Sequence, residues 1–443
     1  MPAADKNNTA LEEEEAKQLF SGLAELSAVA LAVSGGPDSL ALLFLYARWR
    51  QREAPDQTCV VLTVDHGLRT ESAAEAAGVQ RLCRSLSLEH RTLTWTGAKP
   101  TSDLQAEARE KRYDLMLSEM ASSGIGHLVL GHHLDDQAET FLTRLGRGSG
   151  VYGLASMAKS QKREGVVLLR PLLDVPKRRL LATLERDGRT WVDDPSNRDP
   201  KYLRSRLRAL MPDLEQIGLT SERLAGTARR LRRAADALNF ATEQLGDTVL
   251  SRHPAGPVSL KIAPFFEAPE EIGLRLLSQI LAFAGGHPYG PRLEHIEGLY
   301  QSLQQLQSGE FRGASLAGVI CYVAEKMNDR VWFYRENRGT IQSLPLGPRQ
   351  NVLWDSRFRI TLSELAPDQV VVGTLGTQNF EHLSGGPSSL WPKKVFETAP
   401  LVTWAKQGAM EKSQDGLGCA HYVHGLSKTR PNWLVVAQED TTS

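Results

Sequence analysis

Short apolar segments alternate with helical segments through the first half of the chain. Segments with the length and composition of buried β-strands lie at residues 28–33, 59–66, 90–95, 127–133 and 166–173. Segments with helical periodicity follow them at residues 39–50, 71–88, 103–124, 135–145 and 176–188. This alternation predicts βαβ units, and therefore an α/β fold built on a doubly wound parallel sheet.

The pattern changes beyond about residue 215. Residues 219–248 and 268–308 look helical, and short β-like stretches such as GVICYVAEK and QVVVGTL dominate from about residue 310 onward. We therefore predict a helical middle domain and a small C-terminal domain that is mixed α/β or β-rich. The predicted organisation is a polar extension at 1–24, a catalytic domain at 25–215, a helical domain at 216–335 and a small domain at 336–443.

Composition places the chain among soluble globular proteins. Of its residues, 41% are hydrophobic and 23% are charged, as is usual for such proteins. The length of 443 residues predicts two or three domains. It has no apolar run of about 18 residues, and its acidic N-terminal stretch lacks the features of a signal peptide, so no membrane partner is expected. The four cysteines lie far apart and form no C-x-x-C pair, so we expect a cytoplasmic protein without a zinc or redox pair.

Positive charge is concentrated in one part of the chain although the net charge is zero. Between Lys201 and Arg233 there are nine basic residues and only three acidic ones. A solvated helix face would explain such a run, and so would a polyanionic partner. A second basic stretch at 159–189 favours the partner.

The stretch SGGPDS follows the first predicted strand and opens the first predicted helix. Backbone N–H groups of such a turn point toward an anion, and the hydroxyls of Ser34 and Ser39 add donors. Gly35 and Gly36 let the backbone approach the ligand closely, and Pro37 suits the first helical turn. A carboxylate in an anion cradle, Asp38, calls for a bridging Mg²⁺. An ordinary Gly-Pro turn with a capping side chain is the alternative.

Polar residues also follow the second and fourth predicted strands. Asp65 and His66 end the second strand, and the run from His132 to Asp136 follows the fourth. Ligands of parallel sheets bind at the carboxyl ends of the strands, so these clusters are candidate pocket residues. Asp65 could equally serve only to end its strand.

Two pairs of charged residues recur at helical spacing. Asp136 and Glu139, three residues apart, share a helix face with His133 at its start, and could hold a metal or an ammonium group. Their alternative role is to stabilise a helix N-terminus. Arg109 and Arg112 also share a face and could bind phosphate, or simply be solvated.

The motifs together resemble those of a known enzyme family. S-G-G-x-D-S after a first strand is similar to the pyrophosphate loop of the N-type ATP pyrophosphatases, or PP-loop superfamily. Five further motifs resemble the tRNA(Ile)-lysidine synthetases and occur in the same order: VDHGLR (64–69), L-Q-A-x-A-R-x-x-R-Y (104–113), GHHLDDQAET (131–140), RPLL (170–173) and WVDDPSN (191–197). The resemblance covers residues 25–210, and the C-terminal third resembles that family only weakly.

This resemblance implies a reaction. ATP would adenylate the C2 oxygen of the wobble cytidine in a tRNA(Ile) with anticodon CAU. Free L-lysine would then displace AMP through its ε-amine, giving lysidine, AMP and pyrophosphate. The product reads AUA instead of AUG, and the tRNA changes its identity from methionine to isoleucine.

The resemblance also implies roles for residues and partners. Ser34, Gly35, Gly36, Pro37 and Ser39 would hold the ATP phosphates, with Asp38 near Mg²⁺. Asp65 and His66 would border the nucleotide pocket. The expected catalytic residues are Asp38, Arg109, Arg112, His133, Asp136 and Glu139. Residues 216–335 would form the tRNA-binding domain, and a homodimer is compatible with the family.

One departure from the family concerns the expected tRNA contacts Arg204, Arg206 and Arg208. Ser205 stands where the family usually has asparagine beside the first of these arginines.

Three other functions fit parts of the pattern. A tRNA thiolation enzyme shares the ATP loop but needs a catalytic thiol, and Cys59 and Cys83 lie in a predicted strand and helix. An amide-forming synthetase such as NAD synthetase would not need the basic middle region. A tRNA-binding module without catalysis would not need intact SGGPDS and DDQAET stretches.

Overall fold

The computed structural model describes residues 9–67, 72–97, 104–191, 201, 203–253, 255–306, 308–324, 329–339, 341–362, 364, 370–377, 391–405, 418–422 and 435–439. Side chains at 104–106, 402–405, 418–422 and 435–439 are excluded from the description. The WVDDPSN motif lies outside it apart from Trp191. The chain divides into two compact units, Met1–Asp236 and Ala237–Ser443. The domain boundaries given above remain predictions.

The first unit contains a six-stranded sheet in the order β3-β2-β1-β4-β6-β5. All its pairings are parallel except that of β5 with β6. Its strands are β1 (Ala28–Ala32), β2 (Thr58–Asp65), β3 (Glu89–Thr94), β4 (His127–Leu130), β5 (Ser160–Arg163) and β6 (Val166–Leu169). The predicted parallel sheet is therefore confirmed, and β5 is an antiparallel edge strand that the sequence pattern did not indicate.

The helices of this unit cover both faces of the sheet. They are α1 (Glu13–Phe20), α2 (Pro37–Glu53), α3 (Ser72–Ser85), α4 (Leu104–Ser123), α5 (Leu134–Leu145), α6 (Val151–Leu154), α7 (Lys177–Arg186), α8 (Leu203–Gln216) and α9 (Ser221–Val249), the last of which contains the boundary between the units.

Strand β1 shows why the sheet is doubly wound. Val29 and Leu31 join a core that includes Leu42 of α2 and Leu180 of α7. Ala30 joins a second core, which contains the buried side chains of α4. Successive side chains of a strand point to opposite faces, so a continuous apolar strand needs helices on both sides.

The N-terminal stretch predicted as a polar extension contributes to the first of these cores. Phe20, at the end of α1, is fully buried and packs its ring 5.9 Å from Tyr46 and 5.7 Å from Trp49. Aromatic packing of this kind anchors a helix whose exposed face carries Glu13 and Glu14.

The second unit mixes helices with antiparallel sheets. Helices α10 (Ile262–Phe266), α11 (Glu270–Gly285) and α12 (Leu293–Gln304) pack on a five-stranded sheet in the order β7-β8-β11-β10-β9. Its strands are β7 (Leu250–Arg252), β8 (Val258–Lys261), β9 (Ala314–Leu316), β10 (Val319–Tyr322) and β11 (Arg330–Arg335). The region predicted as helical thus also contains strands, of which β7 and β8 were not anticipated.

The β-rich C-terminal part agrees with the prediction. A four-stranded sheet has the order β12-β15-β16-β18, and a three-stranded sheet has the order β13-β14-β17. The strands are β12 (Leu344–Leu346), β13 (Asn351–Trp354), β14 (Phe358–Leu362), β15 (Val370–Thr374), β16 (Pro400–Ala405), β17 (Gly418–Tyr422) and β18 (Val435–Glu439). Among the described helices of both units, none is long and apolar enough to cross a membrane.

Candidate active site

The carboxyl ends of β2, β1 and β4 lie side by side, because β1 pairs with β2 on one flank and with β4 on the other. The SGGPDS turn leaves β1 at the centre of this edge and leads into α2 at Pro37. Inside the turn, Ser34 N–H donates to Ser39 Oγ at 3.1 Å, and Ser39 Oγ donates to the Gly36 carbonyl at 2.9 Å. The two serines therefore hold the turn in shape.

The turn presents backbone donors to the space in front of the sheet. Gly35 has a φ of 88°, a conformation that favours glycine. The N–H groups of Gly35 and Gly36 donate to none of the described residues. Together with the positive end of the α2 dipole, they have the geometry that an anion cradle requires, and anion binding by this turn stays a prediction.

The loop after β4 packs closely against the SGGPDS turn. A Cβ added to Gly131 would lie 3.0 Å from the carbonyl oxygen of Asp38, which is closer than nearly all real Cβ atoms come. Glycine at this position therefore lets the backbones of the two loops approach each other closely.

Asp38 joins three parts of the chain. Its Oδ2 accepts from Lys177 Nζ at 3.1 Å and lies 3.4 Å from His133 Nε2. Burial of the carboxyl opposes ionisation, but His133 and Lys177 outweigh it and lower the pKa of Asp38 to about 2. Oδ1 is buried and has no hydrogen-bond partner among the described residues. Asp38 is therefore an ionised group with one oxygen left for a ligand.

His133 is buried among three carboxylates. Its side chain is 1% exposed, and its ring nitrogens lie 3.4 Å from Asp38, 3.5 Å from Asp135 and 3.5 Å from Asp136. Burial alone would lower the pKa of His133, but Asp136, Asp135 and Asp38 outweigh it and raise that pKa to about 10. The ring is consequently a cation near neutral pH.

The carboxylates that begin α5 also fix local structure. Asp136 Oδ2 accepts from the backbone N–H of His133 at 3.1 Å, which caps the helix. Asp135 Oδ2 accepts from the N–H of Lys177 at 2.8 Å and so connects the starts of α5 and α7. Asp136 therefore takes the helix-stabilising role that was the alternative for it, and both carboxylates add negative charge to the site.

Glu139 is buried and is bound by Arg208. The guanidinium Nε donates to Oε1 at 2.5 Å, and Nη2 donates to Oε2 at 3.2 Å. Burial raises the pKa of Glu139, and Arg208 opposes that effect. A cavity of about 220 Å³ opens beside this pair, lined by charged residues and Met211 and Ser221. Its charged residues are Asp135, Glu139, Lys177, Arg208 and Glu215.

Helix α4 carries a pair of cationic side chains next to Tyr113. The guanidinium carbons of Arg109 and Arg112 lie 5.5 and 5.9 Å from the centre of the Tyr113 ring. Neither arginine forms an ion pair with a carboxylate that the structure describes. Burial first, and then Arg109 and Arg204, lower the pKa of Arg112, which nevertheless stays charged at neutral pH. The role of Arg109 and Arg112 in binding an anion stays a prediction.

Asp65 and His66 lie in the turn between β2 and α3. Asp65 Oδ1 accepts from Gly67 N–H at 2.8 Å and from Ser72 Oγ at 2.6 Å. The His66 ring lies edge-on to Trp95, with centroids 6.0 Å apart. Asp65 therefore ties the turn to the start of α3 at the predicted pocket border.

Of the three arginines proposed for tRNA contact, only two face solvent. Arg204 and Arg206 are exposed on α8, whereas Arg208 turns inward to Glu139.

Comparisons with known proteins show the family to which the chain belongs. A family described as "PP-loop domain" matches residues 8–214. The tRNA(Ile)-lysidine synthase of Bradyrhizobium diazoefficiens is 45% identical over 71% of this chain and 89% of its own length. That of Rhodopseudomonas palustris is 46% identical over 66% of this chain and 84% of its own length. This chain belongs to the tRNA(Ile)-lysidine synthase family.

The likeness to solved structures is weaker than the likeness to these synthases. The U34-tRNA thiolase NcsA from Methanococcus maripaludis has a TM-score of 0.43 at 17% identity, and covers 50% of this chain and 77% of that chain. A likeness of this size carries no argument about activity. The lysidine synthase relatives extend past the PP-loop domain and therefore include part of the second unit.

Two charged residues of this lysidine synthase family member were not predicted as site residues. Lys177 begins α7 and reaches Asp38, and Arg170 follows β6 and donates to His132. The sequence did contain a signal for both residues. Arg170 opens the RPLL motif and Lys177 follows Pro176, and both come soon after a predicted strand of the parallel sheet. Side chains after such a strand share the edge with the SGGPDS turn.

Mg²⁺ fits the residues at this lysidine synthase site in one respect. The free Oδ1 of Asp38 is a hard oxygen ligand next to the anion cradle, and Mg²⁺ often takes one or two carboxylates plus phosphate oxygens. Within the described part of the chain, no group of three or more His, Cys, Asp or Glu is arranged to hold a metal by itself. The residues therefore suit an ion that arrives with the nucleotide.

Proposed function

We propose that this protein uses ATP to attach free L-lysine to C2 of the wobble cytidine in a tRNA(Ile) with anticodon CAU. Its relatives are tRNA(Ile)-lysidine synthases at 45% and 46% identity, and its N-terminal half is a PP-loop domain. The single observation that carries the proposal is the contact of the SGGPDS turn with His133. Asp38 belongs to this turn and contacts both His133 and Lys177, so the predicted anion cradle lies next to a buried cluster of acidic and basic side chains.

The first step forms the adenylate. The C2 oxygen of the cytidine attacks the α-phosphorus of ATP, a new P–O bond forms, and the bond to the β-phosphate bridging oxygen breaks to release pyrophosphate. The N–H groups of Gly35 and Gly36, with Lys177 and the cationic His133 nearby, would stabilise the departing negative charge. Mg²⁺ bound at Asp38 would supply further neutralisation of phosphate charge. ATP is the nucleotide expected in a PP-loop domain.

The second step forms lysidine. The ε-amine of lysine attacks C2, the bond from C2 to the phosphoryl oxygen breaks, and AMP leaves with the electron pair of that bond. The amine must enter this step neutral, so a proton passes from the ammonium group to a base. The cavity beside Glu139 and Asp135 offers carboxylates for the lysine ammonium. Arg208 would have to release Glu139 for that carboxylate to take part.

The tRNA would approach across the basic surface of α8 and α9. Arg204, Arg206, Arg230 and Arg233 carry positive charge there, and Arg109 and Arg112 would face the anticodon nucleotide. The charge is local, because the chain as a whole has a formal net charge of zero. A cytoplasmic location and a homodimer remain part of the proposal.

Thiolation is the second candidate and needs a reactive thiol. Cys59, Cys83 and Cys321 are buried, and burial raises the pKa of each to about 12. These three thiols stay protonated near neutral pH, which opposes nucleophilic sulfur chemistry.

The test is incorporation of radiolabelled lysine into tRNA transcripts that carry CAU, comparing isoleucine and methionine tRNA bodies. We expect incorporation that depends on ATP and on the isoleucine body, with AMP as a product. Incorporation of sulfur instead, or AMP release without lysine transfer, would contradict the proposal.

Asp38→Ala tests the metal and phosphate part of the proposal. Without the carboxylate, the site loses a ligand for the phosphate-bound ion and leaves Lys177 without its acceptor. We expect tRNA-dependent ATP–pyrophosphate exchange to fall by at least ~100-fold. Exchange near the wild-type rate would show that Asp38 does not have this role. Asp56→Ala, at an exposed position just before β2, is the control and should leave exchange unchanged.

A further inference from the structure

His132 and Arg170 meet at the carboxyl ends of two paired strands. Strands β4 and β6 pair in parallel, so the residues that follow them share one edge of the sheet. Arg170 is 4% exposed and donates from Nε to His132 Nδ1 at 3.3 Å. Its other nitrogens donate to the Ala158 carbonyl at 2.8 Å and to Gln161 Oε1 at 3.3 Å. The guanidinium is therefore held in one orientation by the loop before β5 and by β5 itself.

The direction of this hydrogen bond fixes the proton on His132. A guanidinium has only donors, so Nδ1 of the imidazole must be the acceptor. The single ring proton of neutral His132 is then on Nε2.

The charges around His132 keep the ring neutral. Burial lowers its pKa, and Arg170 after β6 and Arg109 and Arg112 on α4 lower it further. Asp136 on α5 opposes them, and the resulting pKa is about 3. His133, the next residue, is a cation among carboxylates. Two adjacent imidazoles thus differ in charge because their rings face groups of opposite sign.

A neutral N–H donor that is influenced by three nearby guanidinium groups suits an anionic oxygen. Arg109 and Arg112 have no carboxylate partner among the described residues, so the charge of the cluster is left for a ligand. In the proposed function, the anionic group that forms at the cytidine is the transferred α-phosphoryl group.

We propose that His132 donates its Nε2–H to an oxygen of the phosphoryl group transferred to cytidine, and that Arg170 is the positioning residue that fixes the tautomer of His132. This inference rests on the proposed function for the identity of the anion. The tautomer itself rests only on the Arg170 contact.

The tautomer can be measured in the wild-type protein without any substrate. Nitrogen-15 NMR of the histidine rings, with His132 assigned by its absence from His132→Gln, should show a proton on Nε2 and a bare Nδ1. The ring should remain neutral down to about pH 5. A protonated Nδ1, or a cationic ring at neutral pH, would overturn the positioning role of Arg170.

Activity tests the donor. His132→Leu should lower kcat for adenylate formation by ~100-fold or more, the loss typical for removal of one transition-state donor, with the KM for ATP little changed. His132→Gln keeps an amide N–H near the Nε2 position and should recover most of that loss. Equal loss in both variants, or no loss in His132→Leu, would overturn the donor role.

The pH profile separates positioning from a merely structural effect. Arg170→Met removes the donor to Nδ1, so His132 should take up a second proton in the accessible range and kcat should fall on the acid side. The double variant Arg170→Met/His132→Gln should lack that acid limb. Arg163→Met is the control. Arg163 pairs with Glu110, and its guanidinium lies 4.4 Å from the Tyr113 ring, so its removal should leave the pH profile of kcat unchanged. An acid limb that persists in the double variant would contradict the proposal.

These outcomes are distinct from failure of the proposed function. If the wild-type protein transfers no lysine to tRNA, the proposed function and the donor role fail together. The ring nitrogen measurement would still decide whether Arg170 fixes the tautomer.

Discussion

His133 shows how a buried cation can be stable in a protein interior. An isolated imidazolium in such a place would lose its proton, but here three carboxylates face the ring. Removal of any one partner would leave the others with an unbalanced charge, which is the costly state of a buried ion pair. The cluster therefore works as a unit, and single substitutions within it should not be additive.

The raised pKa of His133 predicts how stability depends on pH. The folded protein holds this proton more tightly than the unfolded chain does, so the stabilisation is complete below the ordinary pKa of 6.5 and is lost as the pH rises toward about 10. Between pH 7 and pH 9, the free energy of unfolding should fall by about 2–3 kcal/mol more in the wild type than in His133→Gln. Urea unfolding at both pH values measures this difference. Parallel profiles for the two proteins would contradict the prediction.

Lys177 should matter for chemistry although it lies outside the SGGPDS motif. Its Nζ contacts Asp38, and it begins a helix whose backbone is fixed by Asp135. Lys177→Met should lower kcat for ATP–pyrophosphate exchange by ~10–100-fold, because the variant lacks a cation that balances phosphate charge.

The neighbouring Arg178→Met is the matched control for Lys177. Arg178 is exposed and pairs with Glu222, away from Asp38. We expect near-normal exchange from it, and equal reductions in the two variants would show that the effect comes from the α7 N-terminus rather than from the Lys177 charge.

Helix α8 has two different surfaces. Arg204 and Arg206 point to solvent, while Arg208 reaches the buried carboxylate of Glu139 on α5. The helix is therefore both part of the expected tRNA surface and part of the wall of the cavity beside Glu139. Movement of α8 on tRNA binding would necessarily change the environment of Glu139.

Arg208→Ala should destabilise the protein. The substitution removes the bidentate partner of Glu139, whose side chain is only 4% exposed. Since Arg208 itself is 38% exposed, we expect a modest decrease of about 1–3 kcal/mol in the free energy of unfolding, measured by urea titration. Arg206→Ala, two residues away on the exposed face, should stay within about 0.5 kcal/mol of the wild type. A decrease of the same size in both variants would show that the loss of stability does not come from the Arg208–Glu139 pair.

Local sequence patterns were sufficient to predict the parallel sheet and the turn between β1 and α2 at SGGPDS. Both depend on neighbours in sequence: apolar runs that end in glycine, and a strand followed directly by a helix. Lys177 and Arg170 could not be placed in this way, because their partners Asp38 and His132 lie far away in the chain and meet them only at the edge of the folded sheet. Strands β7 and β8 were missed for a similar reason. They are only three and four residues long and are stabilised by pairing with each other and, for β8, with β11.

The whole chain carries as many acidic as basic residues, so its affinity for an RNA depends on where the charges lie. Acidic residues are concentrated on helices such as α1, while α8 and α9 carry most of the exposed arginines between 201 and 233. Electrostatic attraction should therefore be local and strongly sensitive to salt.

Arg204→Ala/Arg206→Ala tests this distribution. If both side chains bind phosphates, the slope of log affinity for tRNA against log salt concentration should decrease by about 0.7–0.9 for each of the two arginines. Arg52→Ala removes an arginine that pairs with Glu13, at the end of α2 remote from the SGGPDS turn, and should leave the slope unchanged. The tRNA surface would lie elsewhere if the double variant kept the wild-type slope.

Gly131 has a mechanical consequence for the catalytic half of the molecule. Since there is no room for a side chain between its backbone and the main chain of Asp38, the two loops pack closely, and separating them would break this joint. A nucleotide bound by the SGGPDS turn would therefore directly change the surroundings of His133, which follows Gly131 on the other loop. Lys177 of α7 reaches Asp38 in this joint through its long side chain, so a shift of α7 would act on both loops together.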